Sequence, residues 1–189
     1  MPEGSGHQPT AVTRMKSDAR IRRSTATDRP AVEALYPAAF PEEDLLPLVR
    51  ELLGDPTHTV SLVAESDAGI VGNIIFTFGS EPDSGARIAL LAPLAVAPTV
   101  QGQGLGSALV RAGVASMQES GAALVCVLGD PNYYGRFGFE PERDVQPPYA
   151  LPTEWQDAWQ SIRALSGPGP KSGTLSLPDY WLRPALWLP

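Results

Sequence analysis

The segment from Leu90 to Ser107 constrains the fold more than any other part of the chain, because a strand and a glycine-rich turn meet within it. The apolar run Ile88 to Ala97 is too long for a surface loop and too short for a membrane span, so we interpret it as a strand of a covered sheet. Pro93 interrupts this run and Pro98 ends it, and neither carries a backbone N–H. We therefore expect the strand to bulge or to diverge from one neighbour, which leaves backbone groups near Leu94 to Val96 free for a ligand.

The turn that follows the strand is rich in glycine and opens a helix. Its residues are Gln101, Gly102, Gln103, Gly104, Leu105, Gly106 and Ser107. Where Cβ atoms are missing, a ligand can approach the main chain closely, and the N–H groups point into the turn. The helix adds the positive end of its dipole, so the turn predicts an anion site that suits a pyrophosphate without a basic side chain in the loop.

Two common phosphate-binding patterns do not fit this turn. A Walker A loop ends in Gly-Lys-Ser or Gly-Lys-Thr, and a dinucleotide fingerprint runs G-x-G-x-x-G. Counted from Gly102 the sixth residue is Ser107, and counted from Gly104 it is Leu109. The turn therefore belongs to neither class.

The pattern Gln101-x-x-Gly104-x-Gly106, after a strand reading Pro-Leu-Ala-Val, resembles the acyl-CoA signature of the GNAT superfamily of N-acyltransferases. A second segment agrees, since Gly129 to Phe139 resembles the family's short helix ending in Tyr-x-x-x-Gly-Phe. The resemblance extends over Ile21 to Phe139. It implies an α/β fold in which helices flank a central mixed, mostly antiparallel sheet, with strands that splay at the acyl-CoA site.

The resemblance also implies an enzyme, an N-acetyltransferase that moves the acetyl group of acetyl-CoA to a primary amine. Because no nucleophile for a covalent intermediate is evident, direct attack in a ternary complex is expected. No metal is expected. The expected cofactor contacts are Leu94, Ala95, Val96, Gln101, Gly102, Gln103, Gly104, Leu105, Gly106 and Ser107.

Two groups are candidates for stabilising the reaction. Backbone N–H groups of Leu94 to Val96 are placed to bind the developing oxyanion, since a splayed strand offers donors without a sheet partner. Tyr134 occupies the first position of Tyr-x-x-x-Gly-Phe, where the family has a tyrosine that protonates the leaving thiolate. A phenol stays protonated at neutral pH and can donate to sulfur, although a packing role is the alternative for Tyr134.

The general base is open, because the strand Arg87 to Val96 contains no carboxylate. A water chain and a side chain are both compatible with the sequence. The side-chain candidates, each of which also fits a solvated surface group, are Glu42, Glu43, Asp44, Glu65, Glu81 and His58. Arg111 and Arg136 are candidates for contacting a CoA phosphate, with plain surface charge as the alternative.

Composition narrows the partners and the compartment. A net charge of −7 argues against nucleic acid and favours a cationic acceptor, either a small molecule or a peptide amine. With 43% hydrophobic residues the chain can bury a core, and no segment predicts a membrane span. The single Cys126 lies in an apolar run and is interpreted as a packing residue. We expect a cytoplasmic protein, and a homodimer is compatible with the sequence.

The chain divides into three parts: a polar, disordered tail over 1–19, a core over 20–140 and a Trp- and Pro-rich extension over 141–189 that completes the domain. The pattern predicts the order β-α-α-β-β-β-α-β-α. Its third element is a helix from Glu42 to Leu53, after one broken by Pro37 and Pro41. The strands Thr59 to Ala64 and Ile70 to Phe78 form a hairpin. On the helix after the glycine turn, the sheet-facing positions are predicted to be Leu105, Ala108, Leu109, Ala112 and Ser116.

The extension holds all four tryptophans. We predict a short helix that places Trp155, Ala158, Trp159 and Ile162 on one face, and extended segments over Thr174 to Leu177 and Tyr180 to Leu188. The tryptophans are interpreted as packing anchors, with a wall of the acceptor pocket as the alternative. A second function class is also open, namely a non-catalytic acyl-CoA-binding module that regulates a partner through this extension.

Overall fold

The structure is a computed structural model that describes residues 19–163 and 169–188, so the predicted tail lies outside the described residues apart from Ala19. In these ranges there are nine strands and four α-helices. The strands are β1 (Arg20–Arg23), β2 (Thr59–Ser66), β3 (Gly69–Glu81), β4 (Ala86–Val96), β5 (Leu124–Leu128), β6 (Glu140–Pro141), β7 (Val145–Gln146), β8 (Trp159–Arg163) and β9 (Gly173–Thr174). The helices are α1 (Arg29–Ala39), α2 (Leu46–Gly54), α3 (Leu105–Glu119) and α4 (Pro131–Tyr134).

A seven-stranded sheet has the order β1-β2-β3-β4-β5-β8-β6. Its neighbours are antiparallel except for β4 and β5, which are parallel. The parallel pair arises because α3 carries the chain back across the sheet between the two strands, whereas β2, β3 and β4 are joined by tight turns. The prediction of a mixed, mostly antiparallel sheet flanked by helices is confirmed.

The β4 and β5 strands separate partway along their length. They pair only from Ile88 opposite Leu124 to Leu90 opposite Cys126. Beyond that point β5 stays paired to β8, and β4 stays paired to β3 after an irregularity in their register. A gap therefore opens between β4 and β5, as Pro93 within β4 and Pro98 after it predict.

Each face of the sheet is covered by different elements. Alternate residues of the strands pack against α3 on one face and against α1 and α2 on the other. On α3 the buried face differs from the predicted one, because Ala108 is exposed while Val110 and Met117 are buried. The close approach of α3 to the sheet depends instead on Gly113, where a Cβ would lie 2.4 Å from the ring of Phe76.

Two predicted helix boundaries are wrong. The α1 helix runs through Pro37 and ends two residues later, so the proline lies in its last turn. The α2 helix begins at Leu46, not at Glu42, and this start places Pro47 in its first turn. A helix that began at Glu42 would hold Pro47 in its interior, where the ring clashes with the preceding turn and a hydrogen bond is lost. No helix in 19–163 or 169–188 is both long and apolar enough to cross a membrane.

The extension differs from its prediction in two places. Trp159 begins strand β8, where a helix was predicted, because this segment pairs with the free edge of β5. Tyr180 to Leu188 is not extended but contains two 3-10 turns, Asp179–Trp181 and Pro184–Trp187. The interpretation of the tryptophans as packing anchors holds for Trp159, Trp181 and Trp187, which are buried with neighbouring ring centroids 5.9 and 6.1 Å apart.

Candidate functional site

A cavity of about 410 Å³ lies where β4 leaves β5 and α3 begins. Eight of the ten predicted ligand contacts line it, and Ala95 and Gln103 do not. The lining residues are Ala39, Phe40, Leu94, Val96, Val100, Gln101, Gly102, Gly104, Leu105, Gly106, Ser107, Tyr133 and Arg136. The structure thus brings β4, the glycine turn and the start of α3 together with the end of α1 and the α4 region around a single space.

The backbone of β4 turns two of its residues toward the gap. In an antiparallel pair, successive residues direct their N–H and C=O groups alternately toward and away from the partner strand. The N–H of Ala97 donates to a β3 carbonyl at 2.9 Å, so Ala95 also faces β3, while Leu94 and Val96 face away from it. Free donors are therefore expected at Leu94 and Val96, and the side chain of Ala95 is buried in the core.

The glycine turn has the conformation that its sequence predicts. Gly102 and Gly104 are left-handed, with φ of 73° and 85°, and Gly104 is the N-cap of α3. The side chain of Gln101 folds back and donates from Nε2 to the carbonyl of Val96 at 2.9 Å. This bond ties the turn to the strand. The first backbone N–H groups of α3 have no carbonyl partner within the helix, and they border the cavity at Gly106 and Ser107.

The adjacent tyrosines of α4 take different places. The Tyr133 ring lines the cavity, whereas the ring of Tyr134 lies over Gly129, at the end of β5 where the gap opens. A Cβ at Gly129 would be 2.5 Å from the Tyr134 ring. Burial raises the pKa of Tyr134 well above its ordinary value, so its hydroxyl keeps its proton at neutral pH.

Positive charge borders the cavity on the α3 and α4 side. Arg136 lines it, and its guanidinium lies 4.6 Å from the centre of the Tyr133 ring. The guanidinium of Arg111 is 5.1 Å from the ring centre of Phe137. Among the described lining residues no side chain is acidic, which leaves Arg136 to set the sign of the local charge.

The predicted base candidates fall into two groups. Glu65, Glu81 and His58 have partners of their own outside the cavity lining: Arg22 for Glu65, the turn after β3 for Glu81, and Asp55 for His58. Glu81 is fully buried, so the surface interpretation of this residue is wrong. Glu42, Glu43 and Asp44 instead line a second depression of about 330 Å³, which shares Phe40 with the cavity.

Burial raises the pKa of the Cys126 thiol well above its ordinary value, and the side chain is wholly enclosed. A thiolate at this position would be strongly disfavoured, which agrees with a packing role. In residues 19–163 and 169–188, no three side chains of His, Cys, Asp or Glu come together as a metal site requires.

Phe40, Val100 and Tyr133 line the cavity but were not predicted to do so. For Tyr133 a signal was available, because it precedes the motif tyrosine in the same short helix. Phe40 has no such signal, since it reaches the cavity only through the packing of α1. Taken together, the gap, the left-handed glycines and the helix start define a protein built to bind an elongated ligand with an anionic group.

Comparisons with known proteins narrow this class. An acetyltransferase (GNAT) domain model matches residues 57–141. The chain is 35% identical over 165 residues to the uncharacterized N-acetyltransferase YjhQ of Escherichia coli (strain K12), which covers 83% of this chain and 89% of that protein. The protein therefore belongs to the GNAT family of N-acetyltransferases.

Solved structures agree. The GNAT family N-acetyltransferase YhbS of Escherichia coli, in complex with CoA, superposes with a TM-score of 0.77 and 33% identity, over 94% of this chain and 97% of that one. A GNAT family acetyltransferase from Brucella melitensis, in complex with acetyl-CoA, gives a TM-score of 0.70 and 27% identity, over 86% and 97% of the two chains.

Proposed function

We propose that the protein transfers the acetyl group of acetyl-CoA to a primary amine, by direct attack of the amine in a ternary complex. The observation that carries this proposal is the joining of the β4–β5 gap to the glycine turn in one cavity. YhbS binds CoA and the Brucella melitensis protein binds acetyl-CoA, and both share this fold. In the reaction, acetyl-CoA supplies the acyl group and a thiol leaving group.

The two ends of the cavity suit two parts of the cofactor. Backbone N–H groups at Gly106 and Ser107, with Arg136 beside them, favour the pyrophosphate. Leu94 and Val96 turn their backbone groups into the gap, where they can hydrogen-bond the pantetheine arm and stabilise the oxyanion as the amine attacks. Ala95 is less suited to this role because its backbone faces β3.

We assign Tyr134 as the proton donor to the departing thiolate. Its ring lies against Gly129, directly after β5, and its raised pKa keeps the donor protonated. When the bond between the carbonyl carbon and sulfur breaks, the electron pair stays on sulfur and takes up the phenolic proton. Solvent then restores the phenol.

The amine must lose a proton to react, and no described side chain lining the cavity is acidic. We therefore infer that water carries this proton toward Glu42, Glu43 and Asp44, which lie on the far side of Phe40. The same side is the expected entry for the acceptor, a small-molecule or peptide amine.

Thiol release from acetyl-CoA, measured with a panel of primary amines, tests the reaction. We expect release with at least one amine, with acetyl-CoA and amine both required and the acetyl group recovered on nitrogen. No release with any polyamine, amino sugar, amino acid or peptide N-terminus would contradict an acetyl transfer to amines and would favour a binding module.

With a reactive amine in hand, Tyr134→Phe tests the proton donor. We expect kcat to fall by about 10²–10⁴-fold with little change in the KM for acetyl-CoA, because the hydroxyl acts when the carbon–sulfur bond breaks. Tyr149→Phe, at a tyrosine of the extension that packs against the α1 and α2 side of the core, is the matched control and should leave kcat unchanged. An unaltered kcat in Tyr134→Phe would mean that the thiolate leaves unassisted or takes its proton from water.

A further inference from the structure

The third glycine of the turn, Gly106, faces a tyrosine hydroxyl. A Cβ at Gly106 would lie 2.7 Å from the hydroxyl oxygen of Tyr133, too close for any real contact. The backbone of Gly106 is not left-handed, so its conformation alone does not demand glycine. The space that the missing side chain leaves is therefore filled by the Tyr133 hydroxyl, which reaches the first turn of α3.

We propose that Tyr133 is a positioning residue, whose hydroxyl locks α4 to the first turn of α3 and thereby fixes Tyr134 against Gly129. This inference rests on the proposed function of Tyr134. It assigns a second role to Gly106. Besides allowing a phosphate to approach the backbone, the missing side chain leaves space for the Tyr133 hydroxyl.

Several contacts hold the Tyr133 ring in this place. The ring meets the ring of Tyr134 edge to face. The ring packs edge-on against Phe137, with centroids 5.4 Å apart, and Arg136 lies over it. A tyrosine held on three sides has little rotational freedom, so the hydroxyl keeps its position between the two helices.

The lock matters because α4 is only four residues long. A single helical turn has almost no stability of its own, so its orientation depends on outside contacts. Tyr133 and Tyr134 are consecutive, and their rings meet edge to face at 5.0 Å. A shift of Tyr133 away from α3 would therefore carry Tyr134 away from Gly129.

Substitution of both partners tests the lock directly. Gly106→Ala places a methyl group against the hydroxyl and should lower kcat by about 10²-fold, the cost of a misplacement near 1 Å. Tyr133→Phe removes the hydroxyl and should lower kcat by only about threefold to tenfold, the loss of one polar contact with the first turn of α3. In the double variant the methyl group meets only the Tyr133 ring carbon at 3.9 Å and Val96 at 3.7 Å, both ordinary contacts.

We therefore expect the double variant to recover to the kcat of Tyr133→Phe, within about threefold, a rescue that additive effects cannot give. Gly106→Ala should also cost little in a Tyr134→Phe background, since it acts through Tyr134. Gly54→Ala, at a remote helix end where a Cβ meets nothing within 4 Å, controls for a glycine-to-alanine change. The assay uses the fastest amine of the panel, with calorimetry of CoA binding in parallel.

Two results would overturn the inference. If the double variant stays as impaired as Gly106→Ala, the methyl group obstructs the ligand and not the hydroxyl. If Tyr133→Phe raises the KM for acetyl-CoA with kcat unchanged, the hydroxyl is a ligand contact and not an anchor. A normal kcat in Tyr134→Phe is a separate outcome, which refutes the proton donor while the Gly106 and Tyr133 rescue remains measurable.

Discussion

At the residue scale, Gly104 links the turn to the ligand site most directly. It is the N-cap of α3 with φ of 85°, a conformation that side chains rarely adopt. A Cβ there would meet no protein atom within 4 Å. Glycine is therefore required by the backbone conformation and not by packing within the protein.

We expect Gly104→Val to reduce CoA affinity by at least about tenfold, because a β-branched residue strains the left-handed turn and its side chain fills ligand space. Isothermal calorimetry with CoA on the folded variant measures this loss. Gly104→Asn is the matched comparison, since asparagine tolerates the left-handed region while also adding a side chain. Comparable losses of affinity in both variants would show that the added side chain occupies ligand space. A loss in Gly104→Val alone would show that backbone strain is responsible. An unchanged affinity in Gly104→Val would contradict the assignment of the site.

The residues of the site differ in how far the sequence reveals them. Gly104 and Tyr134 belong to local patterns whose spacing indicates a turn and a short helix before any packing is known. Tyr133 lies next to Tyr134, yet which of the two faces the cavity depends on how α4 lies against α3 and β5. Phe40 joins the site only because α1 packs beside β4, a long-range contact without a local signal.

At the scale of elements, an ion-pair cluster connects β1, β2 and the start of α1. Arg22 donates two hydrogen bonds to the Asp28 carboxylate, at 2.7 and 2.8 Å, and a third to Glu65 at 2.8 Å. Asp28 also accepts from the backbone N–H of Thr25 at 2.7 Å, which closes the turn before α1. The hydrogen bonds from Arg22 hold the pKa of Asp28 well below its ordinary value.

A lowered pKa in the folded state gives stability that is present above the unfolded pKa of about 3.9 and lost as the pH falls below it. We therefore expect Asp28→Asn to lower the Tm by several degrees at pH 7, with a difference from the native chain that shrinks as the pH falls from about 4 toward the lowered pKa of Asp28. Thermal unfolding followed by circular dichroism over this range measures it. A Tm difference that is independent of pH would show that the carboxylate charge contributes nothing and that only the shape of the cap matters.

The elements that the sequence predicts best are those with a strong local signal. The hairpin of β2 and β3 is rich in Val, Ile, Phe and Thr and has a turn signal from Ser66 to Gly69, and its strands extend slightly beyond the predicted limits. Strand β8 was predicted as a helix because Trp159 and Ile162 are spaced for one helix face. Short apolar segments fit either period, and here the unpaired edge of β5 decides the outcome.

At the scale of the whole molecule, residues after 140 belong to the same sheet as the motifs. Strand β8 pairs with β5, the strand that borders the gap. It also holds Gly129, whose N–H donates to the Ala158 carbonyl at 2.9 Å and whose carbonyl accepts from Gln160 at 3.0 Å. Since the Tyr134 ring packs on Gly129, the extension holds in place the residue that supports the proposed proton donor.

The extension also fills the core beneath α1 and α2. The indole N–H of Trp181 donates to the Thr77 hydroxyl at 3.0 Å, and that of Trp159 donates to the Val145 carbonyl at 2.7 Å. Arg183 pairs with Glu51 on α2, and the Tyr180 hydroxyl donates to Asp55 at 3.0 Å. The contacts of Trp181, Arg183 and Tyr180 tie the end of the chain to elements more than a hundred positions earlier in the sequence.

We therefore predict that a chain ending at Glu140 will not fold as an independent domain. It would lose β8, expose the β5 edge and leave three large apolar cavities where Trp159, Trp181 and Trp187 pack. Each such loss costs about 3–5 kcal/mol in a core, and a few of them exceed the stability of an ordinary domain. Thermal melting should show no cooperative unfolding, proteolysis should be rapid, and calorimetry should detect no CoA binding.

The matched control removes residues 1–18, which the sequence predicts to be a tail, and it should keep the native Tm and CoA affinity. Cooperative melting and native CoA affinity in the chain ending at Glu140 would show instead that 20–140 is a complete domain and that the extension is an accessory to it.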